Sequence, residues 1–240
     1  MNYMLVSLLF KTSNIYKNNL ELLLNHIENV PSRSIVVAPE VCLTGFDYEN
    51  LEEALDFAKS ATKAIKKYST DKIIIFSMLE RENNKVYNFV KVFYNGEVVY
   101  KRAKARLFRL GDEHKFMEEG SDDDFKIIEV DGIKIAILIC FELRFKELWE
   151  KAEGADVIAI PSWWGKPRSE HFKSLTKTLA IMNQCYVVAS DSQNEECTQM
   201  SSIVTPKGEM IFNGNSPCLK VPYIKKDITL MRRYLDVGIE

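Results

Sequence analysis

The chain of 240 residues carries 32 basic and 34 acidic side chains, so its formal net charge is −2. With 46% hydrophobic and 28% charged residues it has the composition of a globular protein, which excludes a disordered or collagen-like chain. This charge balance provides no general attraction to nucleic acid or to a membrane surface, and we expect neither as a partner. We expect a single domain over residues 1–240, in which residues 214–240 are a C-terminal tail.

Apolar runs and cysteines indicate the compartment. No run approaches the ~18 apolar residues of a membrane helix. The apolar start, Tyr3–Phe10, lacks the basic residues and the cleavage site of a signal peptide. The five cysteines are an odd number without CxxC spacing: Cys42, Cys140, Cys185, Cys197 and Cys218. These features predict reduced thiols in a cytoplasmic protein, and three widely separated histidines predict no zinc site.

Strand and helix patterns alternate in the first third of the chain. The strand candidates are Met4–Phe10, Ser34–Ala38 and Lys72–Met78. Two helices are predicted by apolar residues at helical spacing, at Tyr16, Leu20, Leu23, Leu24 and Ile27, and at Leu51, Leu55, Ala58 and Ile65. The run Thr12-Ser13-Asn14 offers caps for the first of them.

Turn signals then predict three antiparallel strand pairs. They lie around Asn95-Gly96, Asp131-Gly132 and Pro206-Lys207-Gly208. Further elements are predicted as helices at Arg144–Glu153 and Ser169–Asn183, and as strands at Ile133–Cys140, Asp156–Ile160 and Cys185–Ala189. Helices before and after the hairpin region favour an α/β protein in which helices cover both outer faces of a pair of sheets.

Three predicted strand endings carry side chains that could perform chemistry. Glu40, Cys140 and Trp163 each lie at or just beyond the carboxyl end of a strand, where ligands bind in α/β folds. Taken singly, none indicates an enzyme, because a cysteine that closes an apolar strand is more often a core residue. A lysine in a basic cluster, such as Lys104, is more often a surface charge.

Three blocks in order make a more specific pattern. They are Val37–Phe46, Tyr100–Phe108 with Glu113 and Gly120 downstream, and Ile137–Phe145. Together they resemble the nitrilase superfamily, the carbon–nitrogen hydrolases. Further similar stretches follow at Ala155–Trp163, Asn183–Val188 and Ser202–Gly208. The resemblance spans residues 4 to 213 and implies the four-layer α-β-β-α sandwich of that superfamily.

The resemblance also implies a Glu–Lys–Cys triad, here Glu40, Lys104 and Cys140. A free thiol is mostly protonated at neutral pH, so a nearby carboxylate that takes its proton and a nearby ammonium that favours the thiolate suit a cysteine nucleophile. Lys104 and the backbone N–H of Phe141 would form the oxyanion hole. Glu113 would orient Lys104. This chemistry releases ammonia through a thioester, and the resemblance implies no metal or other cofactor.

Neighbouring residues compete for these roles. Lys101 is a rival to Lys104, but Lys104 has the spacing to Leu107 that the superfamily shows. Cys42 is a rival thiol, which we interpret as structural. Phe141, Trp163 and Arg144 are candidate substrate-binding residues, although the aromatic side chains could equally belong to the core. Trp164 is a weaker candidate, and Arg168 could join Arg144 in binding a substrate carboxylate.

The substrate is predicted from a shorter stretch. Leu107–His114 resembles the omega-amidase branch, which implies a small ω-amido acid as the amide substrate. The chain departs from the superfamily pattern at Arg106 for His, Glu142 for Asp, Lys146 for Pro, and Leu179 and Met182 for Arg and Glu. These departures leave an N-carbamoyl amine or N-carbamoyl β-amino acid open as substrate.

Other function classes stay open as well. A thiol hydrolase could use His171 as the base for Cys140, and a non-catalytic module of the same fold could bind a small molecule or a protein. Nucleic-acid binding through Lys101–Arg106 is a third alternative that we do not expect. The resemblance further implies a homodimer or larger homo-oligomer.

Overall fold

The computed structural model describes residues 3–214 and 216–239 as twelve strands with connecting helices. The strands are β1 (Met4–Leu8), β2 (Ser34–Val37), β3 (Lys72–Glu82), β4 (Lys85–Tyr94), β5 (Glu97–Ala103), β6 (Ile128–Val130), β7 (Ile133–Ile137), β8 (Val157–Pro161), β9 (Tyr186–Ser190), β10 (Ser202–Val204), β11 (Met210–Phe212) and β12 (Cys218–Pro222). The α-helices are α1 (Tyr16–Glu28), α2 (Leu51–Tyr68), α3 (Lys146–Lys151), α4 (Ser169–Asn183) and α5 (Lys225–Tyr234). None of the helices in these described ranges is long and apolar enough to cross a membrane.

The strands form two six-stranded sheets. The order is β12-β1-β2-β3-β4-β5 in the first sheet and β11-β10-β9-β8-β7-β6 in the second. In each sheet the inner strands are parallel, β1 to β3 in one and β7 to β9 in the other, and the outer strands are antiparallel. Parallel strands bring their carboxyl ends to one edge of each sheet.

Alternating side chains set the layers. In β1, Leu5 belongs to the core between the sheets, whereas Val6 belongs to the core under α1 and α2. Ser7 points to the second sheet, where its hydroxyl donates a hydrogen bond to the carbonyl of Ala189 at 2.6 Å. Helix α4 packs its buried face, which includes Phe172, on the outer side of the second sheet. The predicted α-β-β-α sandwich is confirmed.

The predicted turns follow their local chemistry. Asn95 and Gly96 both have positive φ, 47° and 83°, and they connect β4 to β5 as the Asn-Gly signal predicts. Asp131-Gly132 connects β6 to β7 in the same way. The sequence analysis missed the turn between β3 and β4 at Asn83-Asn84, where φ is 50° and 62°.

Several predicted boundaries were wrong. The segment interpreted as a tail, residues 214–240, contains β12, which pairs antiparallel with β1, and α5; residues 215 and 240 lie outside the described residues. The predicted caps of α1 do not form, because the helix begins after Ile15 without a side-chain cap. The Thr12 hydroxyl instead donates to the carbonyl of Cys42 at 2.9 Å. Strand β7 ends at Ile137, so Cys140 lies beyond the strand and not at its end.

Candidate active site

The carboxyl edges of the two sheets meet at one end of the sandwich. Strand β5 runs in the direction of β2, because two antiparallel pairings separate it from β3. A parallel bridge between Phe10 and Ser192, which follow β1 and β9, brings the same edges of both sheets together. Glu40 and Lys104 follow strands of the first sheet, and Cys140 follows a strand of the second. The fold therefore gathers the three residues from distant parts of the sequence.

Glu40 lies in the tight turn after β2 and is completely buried. Its Oε1 accepts hydrogen bonds from Lys104 Nζ at 2.8 Å and from Asn88 Nδ2 at 2.7 Å. Its Oε2 is buried without a hydrogen-bond partner among the described residues. Burial raises the pKa of Glu40, and this effect exceeds the opposing effects of Lys104 and of the Cys140 thiol. The carboxyl group therefore has one oxygen held in place and one available to accept a proton.

Lys104 follows β5 and is fully buried. Its Nζ donates to Glu40 Oε1 and to both carboxylate oxygens of Glu113, at 2.8 and 3.0 Å. Burial alone would lower the pKa of Lys104, but the charges of Glu113 and Glu40 outweigh it and raise the pKa. The site thus holds a permanent cation between two carboxyl groups.

Glu113 lies in a short turn of 3-10 helix, Glu113–Lys115, on the loop after Lys104. Besides Lys104, its Oε2 accepts the backbone N–H of Phe108 at 2.9 Å. The same carboxylate therefore ties the position of the lysine to the wall of the cavity described below. The structure brings Glu113 to Lys104, as the sequence analysis expected.

Cys140 is the first residue of a turn of 3-10 helix, Cys140–Arg144, and has φ of 44°. This left-handed conformation is uncommon for a residue with a side chain, and such strain concentrates at functional sites. Burial, and then the negative charge of Glu40, raise the pKa of the Cys140 thiol, while Lys104 lowers it in part. These surroundings therefore favour the protonated thiol, and a thiol needs a proton acceptor before it can act as a nucleophile.

Asn88 is a site residue that the sequence analysis missed. It lies in β4, is completely buried, and donates from Nδ2 to Glu40. Its backbone carbonyl also accepts the N–H of Lys104 at 2.8 Å. The available signal was a lone amide in the apolar run of β4, since a buried polar side chain in a strand requires a partner.

A small cavity exposes the thiol. Its volume is about 20 Å³, and it is lined by Phe108, Cys140, Phe141, Arg144, Trp163, Trp164, Gly165 and Arg168. Space of this size holds about one water molecule. The predicted substrate-binding residues Phe141, Trp163 and Arg144 thus all lie beside Cys140.

Two arginines line this cavity, Arg144 and Arg168. Arg144 stacks over the ring of Trp164 at 4.8 Å, and Arg168 stacks over the ring of Phe108 at 5.0 Å. Burial and the charge of Arg168 lower the pKa of Arg144, so the two cations act on each other. Within residues 3–214 and 216–239, neither guanidinium forms an ion pair with Asp or Glu.

Each rival residue has its own surroundings. Lys101 is paired with Glu80 and Glu82 and does not reach the site. Cys42 is completely buried in the core under α1 and α2. His171 is exposed on α4, with Nδ1 at 3.1 Å from Arg144 Nη2.

The basic run Lys101–Arg106 has an internal role. Its four cations are all paired with carboxylates: Lys101 with Glu80 and Glu82, Arg102 with Glu142, Lys104 with Glu40 and Glu113, and Arg106 with Asp122 and Glu147. The departure at Arg106 thus provides a partner for Asp122. Among the described residues, no group of three or more His, Cys, Asp and Glu side chains could hold a metal ion.

Comparison with known proteins identifies the family of the chain. A model of the carbon-nitrogen hydrolase family matches residues 13–217. The chain belongs to this family. This carbon–nitrogen hydrolase chain is 36% identical to the 2-oxoglutaramate amidase of Bacillus subtilis, and the match covers 75% of this chain and 73% of the relative. It is 30% identical to the omega-amidase YafV of Escherichia coli K12, over 79% and 76% of the two chains.

Solved structures show the same fold. Nit3 of Saccharomyces cerevisiae has a TM-score of 0.82 at 20% identity, covering 100% of this chain and 96% of that one. A variant of the amidase from Nesterenkonia sp. AN1 has a TM-score of 0.83 at 16% identity, covering 98% and 97%, and carries an acetamide moiety added covalently at its active-site cysteine. As a member of the family, the protein is a hydrolase of carbon–nitrogen bonds other than peptide bonds, acting on amides.

Proposed function

We propose that this hydrolase cleaves the terminal amide of a small ω-amido acid, with Cys140 as nucleophile and Glu40 as general base. The observation that carries the substrate class is the pair Arg144 and Arg168, two cations beside Cys140 that have no carboxylate partner in the described part of the chain. A guanidinium recognises a carboxylate through paired hydrogen bonds. The relatives named 2-oxoglutaramate amidase and omega-amidase support the same class.

The first half of the reaction forms a thioester. Glu40 Oε2 accepts the Cys140 proton as the sulfur attacks the amide carbon, and the carbonyl oxygen becomes an oxyanion. Lys104 Nζ and the backbone N–H of Phe141 stabilise that charge, a contribution that typically amounts to about 10²–10³ in rate for each donor. The carbon–nitrogen bond then breaks, and the proton on Glu40 passes to the leaving nitrogen, which departs as ammonia.

The second half regenerates the enzyme. Glu40 takes a proton from a water molecule, whose oxygen attacks the thioester carbon. The carbon–sulfur bond breaks, the acid product leaves, and the proton returns from Glu40 to the Cys140 sulfur. Lys104 stays protonated throughout, because Glu113 and Glu40 raise its pKa. Neither half needs a group that the chain lacks.

Ammonia release tests the reaction. We would compare wild type with Cys140→Ala on a panel of small amides, nitriles and N-carbamoyl compounds. We expect release that vanishes in the variant, with the fold retained by circular dichroism. Best turnover of an N-carbamoyl compound would favour the alternative substrate class. Stoichiometric binding without release would favour a non-catalytic module.

The carboxylate preference has a separate test. Hydrogen bonds to charged groups contribute about 1.5–3 kcal/mol, so Arg168→Gln should raise KM about 10- to 100-fold for an ω-amido acid. The same variant should have little effect on a simple amide of equal length without a carboxylate. An equal loss for both substrates would contradict a carboxylate contact.

We further propose that the protein is a cytoplasmic homo-oligomer. Its cysteines within the described residues are all free thiols, and the nucleophile must stay reduced. The carboxyl ends of α4 and α5 meet at a contact of Gln184 Nε2 with the carbonyl of Leu235 at 2.6 Å, and exposed apolar residues lie in the last turn of each helix and just after α5. This α4–α5 patch consists of Ile181, Met182, Tyr234, Leu235 and Val237. Exposed apolar patches of this kind mark contact surfaces.

A further inference from the structure

A second buried ion pair lies beside the triad. Arg102 and Glu142 face each other as a fork, with Nη1 at 2.8 Å from Oε1 and Nη2 at 2.5 Å from Oε2. Their side chains are 1% and 0% exposed. Arg102 precedes Lys104 by two positions, and Glu142 follows Cys140 by two positions.

The Glu142 carboxylate binds the backbone next to both of these residues. Its Oε1 accepts the N–H of Ala105, the residue after Lys104, at 2.7 Å. Its Oε2 accepts the N–H of Ile139, the residue before Cys140, also at 2.7 Å. The Glu142 side chain therefore holds the main chain in place both next to Lys104 and next to Cys140.

Arg102 adds a second connection between the same two segments. It lies in β5 of the first sheet, and its Nη2 donates at 2.6 Å to the carbonyl of Ile137, the last residue of β7 in the second sheet. Among the described residues, the strand ladders lie within the two sheets, and the bridge between Phe10 and Ser192 is a backbone contact from one sheet to the other. At this end of the sandwich, the Arg102–Glu142 pair thus links an edge strand of one sheet to the turn that follows a strand of the other.

We propose that Arg102 and Glu142 are positioning residues, which set the place of Lys104 Nζ relative to the Cys140 sulfur. This inference rests on the proposed roles of those two residues. A buried ion pair seldom makes a fold more stable than apolar side chains of similar volume would, so stability alone does not account for it. Geometry does, because a misplacement of about 1 Å in a catalytic site can reduce the rate about 10²-fold.

The departure at Glu142 fits this role. The superfamily usually has Asp at this position, and Glu extends the carboxylate by one methylene group. In this chain the longer side chain reaches Arg102 and both backbone N–H groups at once. The turn that it holds begins with Cys140 in the left-handed conformation, which persists only when the surroundings determine it.

Two variants test the inference. Glu142→Gln keeps the shape but leaves the Arg102 charge buried and uncompensated, whereas Arg102→Gln with Glu142→Gln removes both charges. We expect the double variant to be the more stable of the two by thermal unfolding. In both, we expect kcat to fall about 10²-fold with little change in KM.

The readout specific to positioning is the reactivity of the thiol. The rate at which iodoacetamide alkylates Cys140 is measured against pH by mass spectrometry of its peptide. Displacement of the Lys104 cation removes a charge that lowers the pKa of Cys140, so the profile should move to higher pH in both variants.

Glu80→Gln is the matched control, since it breaks the buried Lys91–Glu80 pair of the first sheet, which contacts Thr62 in α2. It should lower stability while kcat and the alkylation profile stay as in wild type.

The outcomes of these experiments either support or overturn the positioning role of Arg102 and Glu142. A folded double variant with wild-type kcat and a wild-type alkylation profile overturns the inference. Failure of both variants to fold also overturns it, because the pair would then be a requirement of the fold. If wild type releases no ammonia from any amide, the proposed function fails, and the alkylation profile still reports on the positioning of Cys140.

Discussion

Replacement of Glu40 gives the most direct kinetic test of the candidate site. Glu40→Gln keeps an oxygen for Lys104 Nζ, and Glu113 continues to neutralise the lysine, so we expect the variant to fold. If Glu40 is the general base that we propose, its loss should reduce kcat about 10²- to 10⁴-fold in an ammonia-release assay. Near-normal turnover in Glu40→Gln, together with a strong loss in His171→Ala, would instead favour a histidine base.

A buried carboxyl group outside the triad predicts how stability depends on pH. Asp191 follows β9, is completely buried, and accepts hydrogen bonds from the backbone N–H groups of Trp164 and Thr198. Burial raises its pKa from 3.8 to about 7. Between these values the folded protein holds a proton that the unfolded chain has lost, so this group makes the free energy of unfolding fall as pH rises from about 4 to about 7.

The matched variant isolates this group. Asp191→Asn does not titrate, so the stability of the variant relative to wild type should increase between about pH 5 and about pH 8 in urea unfolding. The shift in pKa sets an upper limit of about 4 kcal/mol on the change. An unchanged difference at the two pH values would show that the hydrogen bonds keep Asp191 ionised in the folded state.

At the scale of elements, the turn between β3 and β4 offers a test of backbone strain. Asn84 has φ of 62° and an exposed side chain. Glycine adopts this conformation without steric cost, and Asn-Gly is the preferred pair for such a turn. Relief of the left-handed strain, about 1–2 kcal/mol, exceeds the extra backbone entropy that glycine loses on folding, about 0.5–1 kcal/mol. Asn84→Gly should therefore raise the free energy of unfolding by about 0.5–1 kcal/mol, measured by denaturant titration. A decrease would mean that the Asn84 side chain makes a stabilising contact.

The elements also show what could be predicted from the sequence. Patterns with a local cause gave correct answers: Asn95-Gly96 and Asp131-Gly132 form turns, and α4 spans Ser169–Asn183 as predicted. Elements that depend on distant partners were missed. Strand β12 is stabilised by pairing with β1 at the other end of the chain, and its own residues show little alternation.

The residues of the candidate site divide in the same way, into those that a sequence pattern indicates and those that depend on distant partners. Glu40, Lys104 and Cys140 were chosen because three blocks resemble a known pattern, and the fold brings them together. Asn88 and Arg102 had no such signal. Their roles arise only when β4 and β5 lie beside the turns that carry Glu40 and Glu142. These contacts join residues 48 and 40 positions apart, and they follow from the topology and not from local sequence.

At the scale of the whole molecule, the α4–α5 patch predicts assembly. Met182 is 61% exposed on α4, and a charge placed in an apolar contact surface carries a desolvation cost that opposes association. We therefore expect Met182→Glu to shift the protein from a dimer or larger assembly to monomers, measured by size-exclusion chromatography with light scattering. The control is Val99→Glu, because Val99 is an exposed apolar residue on β5 of the other sheet. A monomeric wild type, or dissociation by Val99→Glu alone, would place any contact between copies away from this patch.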